Sequence, residues 1–361
     1  MAKRNNELSA LLKSRRHRFD AKRIVEGFKL VDEDRVVALA KGLASYIVTN
    51  MPAAFNRRNG VADYRTNPYV LLTSASVMKL GDPAKFAEFL FNSKTYMALE
   101  TSFGKSIEAT FVGQYPIGSK TRWAEAPEKT AEFASYAGLS RDERAQQRLD
   151  SVWREIDKAC VVGDRRYLTT IKSGPNTIND TQVQGMTRAI VDNHQEWLAQ
   201  TRKNYPGVNG IDVVVGLTYG TDKTTNNKDN QILVKLLSAG FMEENRAERP
   251  GVLIDSATRS VRVYRRVGMD FWSFIGRPDD PSAAHFVYLE ILLALAKALA
   301  DSIEEADMET QINIKLQQLA TALASLQFPR HALPDWIRED FTQEQLFWFA
   351  TAMTAFFDEG I

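Results

Sequence analysis

Asp157 and Lys172 lie in the stretch of this sequence best suited to chemistry. Residues 156–162 and 167–171 are rich in β-branched and apolar side chains. Gly163-Asp164 between them is a two-residue hairpin signal, because glycine supplies the positive φ that a type II′ turn needs. With those two residues as the turn, Asp157 falls opposite Thr170, and Lys172 follows on the same face. A carboxylate and a lysine then converge at the end of a hairpin, just before Ser173-Gly-Pro-Asn. Magnesium takes oxygen ligands, usually one or two carboxylates with waters and substrate phosphates. Asp157 and the main-chain carbonyl of Ile171 would supply two, and Glu108 from an upstream helix another. Lys172 could orient an attacking water or stabilise charge on a phosphoryl oxygen. The reaction would be metal-assisted hydrolysis of a phosphodiester. Spacing alone does not single out that reading, since one Asp and one Lys on adjacent strands also make an ordinary surface ion pair.

The elements that must position this pair follow from periodicity. Residues 32–48 carry a broad helical stripe of Val36, Val37, Leu39, Ala40, Leu43 and Ile47. Asn67-Pro68 starts another helix, with proline where its missing N–H costs little. Two more are expected over 82–92 and 94–115. In the second, Glu100, Gly104 and Glu108 share one face. A mid-helix glycine costs about 1 kcal/mol relative to alanine, so Gly104 signals close approach of another backbone. Residues 116–142 read as loop and 141–154 as a charged helix. A helix over 180–202 precedes a nearly continuous apolar run, 211–218, which reads as a buried central strand. A polar loop, 219–230, leads to a helix over 231–239. Residues 260–266 alternate as a strand, and 282–306 and most of 308–361 read as helical. The order is that of an α/β core with α-helical additions. It divides into a helical N-terminal arm (1–60), a core (61–300) and a C-terminal helical region (301–361).

Composition is that of a globular protein, with 44% hydrophobic and 25% charged residues. The single cysteine, Cys160, rules out a disulfide framework within one chain and fits a reducing, cytoplasmic setting. The basic N-terminus lacks the apolar segment of a secretory signal. The apolar run near residues 291–300 is too short to span a bilayer. Four scattered histidines make no zinc motif. P-loop and nucleophile-elbow signatures are absent from the sequence. The net charge of +1 neither demands nor excludes a nucleic-acid partner.

Four blocks of sequence, in order, resemble type II restriction endonucleases of the PD-(D/E)XK nuclease superfamily. They are Thr66-Asn-Pro-Tyr-Val-Leu-Leu72, Leu99-Glu-Thr-Ser-Phe-Gly-Lys-Ser-Ile-Glu108, Ile156-Asp157 through Thr169-Thr-Ile-Lys-Ser-Gly-Pro-Asn176, and Gly268-Met-Asp-Phe-Trp-Ser-Phe-Ile-Gly276. The resemblance spans roughly residues 65–300. It implies a central mixed sheet flanked by helices, and Mg²⁺-dependent, sequence-specific cleavage of double-stranded DNA at a short palindrome. It also implies a homodimer, with a cognate DNA methyltransferase as functional partner. Asp157 matches the first metal-binding acid, Lys172 the catalytic lysine and Glu108 the helix glutamate often found at the metal site. The chain departs from the pattern at Thr170, where the motif has an acid. Glu108, Asp180 or, last, Asp164 could replace that charge. Alternatives are a catalytically impaired DNA-binding relative and a structure-specific repair nuclease. Arg188, Arg259, Arg262, Arg265 and Arg266 are candidate base readers, because arginine forks onto guanine. Lys223 and Lys228 are candidate phosphate contacts. The chain ends, with Phe347, Trp348, Phe349, Phe356 and Phe357, are candidates for either a dimer interface or core.

Overall fold

In the computed structural model, residues 21–56, 61–64, 67–174, 177–221, 224, 226–244, 251–253, 260–303 and 308–354 are described. The helices before the sheet are α1 (Ala21–Phe28), α2 (Glu33–Asn56), α3 (Pro68–Met78), α4 (Pro83–Thr110), α5 (Pro127–Ser135) and α6 (Arg141–Asp150). Then come β1 (Lys158–Val162), β2 (Arg165–Lys172), α7 (Asp180–Asn204), β3 (Gly210–Leu217), α8 (Lys228–Ser238), β4 (Met242–Glu244), β5 (Gly251–Leu253) and β6 (Val261–Val267). The chain continues through α9 (Met269–Gly276), α10 (Val287–Ile303), α11 (Met308–Ala324), α12 (Asp335–Asp340) and α13 (Gln343–Met353).

The sheet order is β1-β2-β3-β6-β5-β4. β1 is antiparallel to β2, whereas β2, β3 and β6 run parallel, giving a mixed core. The short strands β4 and β5 extend it antiparallel at the far side. β3 is buried at every position, as its apolar run requires of a central strand. On one face, Ile211, Val213, Val215, Val261 and Val263 pack against Val183, Met186, Ile190 and Trp197 of α7 and Ile232, Leu233 and Leu236 of α8. Each fully buried Leu, Ile, Val or Met side chain there contributes about 1.5–3 kcal/mol. On the other face α9 lays Phe274 against Tyr167 and Tyr264. Gly216 makes room for this layer, since a Cβ there would lie 2.2 Å from the Phe271 ring.

Local signals account for several boundaries. Asn67 caps α3, accepting the amides of Tyr69 and Val70 ahead of Pro68 in the first turn. Asn179 and Gln182 form a capping box that starts α7. The two helices expected over 82–92 and 94–115 are one continuous helix, α4. The expected loop over 116–142 contains α5, and α2 runs beyond the 32–48 stripe to Asn56.

The chain forms two compact units, residues 1–40 with 104–296, and residues 41–103 with 297–361. These units replace the linear division at 60 and 300, because helices distant in sequence share a core. In the second unit, Phe86 and Leu90 of α4 share a core with Leu319, Leu323 and Trp348. Trp348 is therefore core, Phe347 packs edge-on to Phe86, and Phe349 is exposed. Phe356, Phe357 and the basic arm up to residue 20 lie outside the described residues. The stretch Pro281–Ser302 is longer as a helix than its apolar run suggests, with a mean hydropathy of 1.6 over the most apolar part. By length and composition it could cross a membrane. Yet its Glu290 is fully buried and bonded to Arg35 and Tyr115, the pattern of a core helix.

Candidate active site

The hairpin has the register the turn residues predict. Gly163 adopts φ +61°, Lys158 pairs with Thr169, and Val162 pairs with Arg165. The Asp157 amide donates to the Thr169 carbonyl at 2.9 Å, although Thr169 already pairs with Lys158, so the chain leaves the regular ladder at Asp157. Asp157 reaches Thr170 and Ile171 through its side chain. Its Oδ2 accepts the Ile171 amide at 2.6 Å and the Thr170 hydroxyl at 3.2 Å. Thr170 is buried, 1% exposed, and acts as a donor to the acid rather than as a second anion. The Asp157 Oδ1 accepts no hydrogen bond among the described residues.

Glu108 comes from the last turns of α4, and Gly104 explains how that helix gets close. A Cβ at Gly104 would lie 3.1 Å from the Cβ of Ser173, the residue after Lys172. The close neighbour of Gly104 is thus a side chain, that of Ser173, and not the backbone expected from the sequence. Burial, and then the charge of Asp157, push the Glu108 carboxyl above the usual glutamate range. Lys158, Lys129 and Lys172 pull it the other way. Lys158 is ion-paired to Glu108 at 3.7 Å. Lys129 is buried and donates to the Ile156 carbonyl at 2.6 Å, bracing the segment that carries Asp157. Lys172 is half-buried, and its ammonium has no hydrogen-bond or ion-pair partner among the described residues.

Asp157 and Glu108 therefore feel each other as like charges in partly desolvated surroundings, with three lysines around them. Among the described residues, no three His, Cys, Asp or Glu side chains gather into a metal-holding group. Two carboxylates, one with an oxygen left over, suit a hard divalent cation that keeps waters and takes substrate oxygens. Asp180 stands apart from them. It is exposed at the start of α7 and ion-paired to Lys228, so both residues named for different roles hold one another.

The arginines of β6 lie inside the protein, not on a DNA-facing surface. Arg262 donates to the fully buried Asp212 at 2.9 Å, alongside Arg165 and the Tyr264 hydroxyl. Arg265 is buried and ion-paired to buried Asp229. Arg266 is buried, its guanidinium 5.4 Å from the Tyr264 ring centroid. A partner removed from such a pair leaves an uncompensated buried charge, so Arg262 and Arg265 hold the sheet together. The residues offered as base readers thus have Asp212, Asp229 and the Tyr264 ring as neighbours within the fold. Arg188 is exposed on α7, open to a partner. Lys223 and Arg259 lie outside the described residues.

Sequence reasoning missed Lys129 and Lys158. Lys158 follows Asp157 directly and was open to notice, whereas Lys129 belongs to a helix read as loop. The first unit is thus an α/β protein in which a hairpin at the edge of a mixed sheet carries Asp157 and Lys172, with Glu108 brought near them by α4. No known family model matches the chain, and no curated protein matches it.

Proposed function

We propose that the protein is a Mg²⁺-dependent endonuclease with a PD-(D/E)XK-like core that cuts double-stranded DNA at a short palindrome, as a homodimer. The observation that carries this reading is that Asp157 and Lys172 lie at the open end of one hairpin, where Glu108 of α4 feels both charges and Lys172 has no ion-pair partner among the described residues. Asp157 and Glu108 would hold the cation. Bound there, it would supply Lewis-acid polarisation of the scissile phosphate. The Lys172 ammonium, without an ion-pair partner among the described residues, would orient the attacking water and offset charge on the phosphoryl oxygens. Water adds to phosphorus, one P–O ester bond breaks, and the leaving oxygen takes a proton. The Thr170 hydroxyl and Ile171 amide fix the Asp157 rotamer, so one oxygen is held and the other presented.

Thr170 favours a second reading, a relative that binds DNA with impaired cleavage. Digestion of DNA of known sequence, with Mg²⁺ and with chelator, separates the two. Discrete fragments in Mg²⁺ alone are expected. Sequence-specific binding without cutting would support the second reading, and random degradation would overturn site specificity.

A further inference from the structure

Lys172, Ser173 and Gly174 form the segment on which the site is hung, and three elements meet there. The Thr218 amide donates to the Lys172 carbonyl at 3.0 Å, and the Thr218 hydroxyl to the Ser173 carbonyl at 2.9 Å. Thr218 is itself fixed, since the Trp272 indole donates to its carbonyl at 2.7 Å. Gly104 brings the Glu108 helix against Ser173. Next to Thr218, Tyr219 lies directly on Gly174. A Cβ at 174 would fall 2.2 Å from the Tyr219 Cζ and 2.3 Å from its Cε1. Tyr219 is nonetheless 48% exposed.

We propose that Tyr219, seated on the bare backbone of Gly174, is a positioning residue that fixes the segment from which the Lys172 side chain projects. The idea rests on the nuclease reading for its consequence and on the ring-to-backbone contact for its mechanism. Thr218 ties down two carbonyls of the segment, and the Tyr219 ring closes the remaining side. A side chain at 174 would push the half-exposed ring outward rather than unfold the protein. Tyr219→Ala and Gly174→Ala should therefore lose the same contact.

The test is a double-mutant cycle on the full chain. Each single variant should slow Mg²⁺-dependent single-turnover cleavage by about ten- to a hundredfold, the scale of a misplaced catalytic group. DNA affinity in chelator should stay within about twofold, and the double variant should be no slower than the slower single one. Tyr219→Phe, which keeps the ring, should retain most of the rate. Multiplying losses, or wild-type rates in either single variant, overturn the proposal. Reductive ¹³C-methylation gives a second readout that needs no cleavage, the Lys172 dimethylamine resonance assigned with Lys172→Arg. It should move to a common new position in Tyr219→Ala and Gly174→Ala and stay in place in Tyr219→Phe. An unmoved resonance overturns the positioning role. A moved resonance in a chain that does not cut DNA upholds that role while the nuclease reading fails.

Discussion

The Asp157 carboxylate accepts the Ile171 amide at 2.6 Å, which ties the first acid of the site to the strand that carries Lys172. One side chain thus has both a structural and a chemical task, and two substitutions separate them. Asp157→Ala leaves the Ile171 N–H without its acceptor and should cost about 1–3 kcal/mol of stability. Asp157→Asn keeps an acceptor oxygen and should melt close to wild type. Both should lose cleavage, by more than the ten- to a hundredfold typical of residues one layer behind a metal ligand. Thermal unfolding and a plasmid cleavage assay on the same samples check this. Retained cutting in either variant removes Asp157 from the site.

Lys172 has no protein partner among the described residues, so its removal should leave folding largely alone. Lys172→Ala should reduce single-turnover cleavage by on the order of 10²–10³-fold, the usual loss of one charge-stabilising donor. DNA binding in chelator should persist. Lys172→Arg should not restore the rate, because a planar fork does not replace a compact ammonium.

Thr170 is buried beside Asp157, and its hydroxyl donates to the Asp157 carboxylate. Thr170→Glu would put a second carboxylate against the first. In chelator the variant should lose about 1–3 kcal/mol of stability, the common range for a buried-charge substitution. Mg²⁺ should recover part of that loss, giving a larger metal-induced rise in Tm than in wild type. Equal shifts in both proteins would show that position 170 does not face the cation.

Glu108 sets a pH dependence with a definite sign. Its folded carboxyl is raised, first by burial and then by Asp157, so the folded state holds the proton more tightly than the unfolded chain. Stability in chelator should fall as pH rises from the ordinary glutamate range through the raised folded value. Glu108→Gln removes that slope. The variant should be more stable than wild type at neutral pH, with the difference closing below the ordinary carboxyl range. Unfolding midpoints at pH 4 and pH 7 check it. A wild type that gains stability across that interval relative to the variant would reverse the assignment.

Much of the site could be read locally. A two-residue turn with glycine set the register as far as Lys158 and Thr169, and Asp157, just beyond it, meets Thr170 through its side chain. Asn67 before Pro68 marked a helix start by chain-local hydrogen bonds. Gly104 marked a close approach because an unsupported mid-helix glycine is costly. These signals need only neighbours in sequence, so they survive without knowledge of the fold.

The arginines of β6 show where such reading stops. Alternation along a strand tells which side chains share a face, not what covers that face. Arg265 meets Asp229 and Arg262 meets Asp212 across separations of 36 and 50 residues. Those pairings arise only when β6 docks beside β3 and α8 closes over it. The same holds for Lys158 and Lys129 around Glu108, and for the core shared by α4 and α13. Hairpin geometry and the identity of the acid and the lysine were therefore local properties of the chain. The charge environment of the site, the duty of each arginine and the division into two units came from packing, because burial and pairing are set by what the folded chain brings alongside.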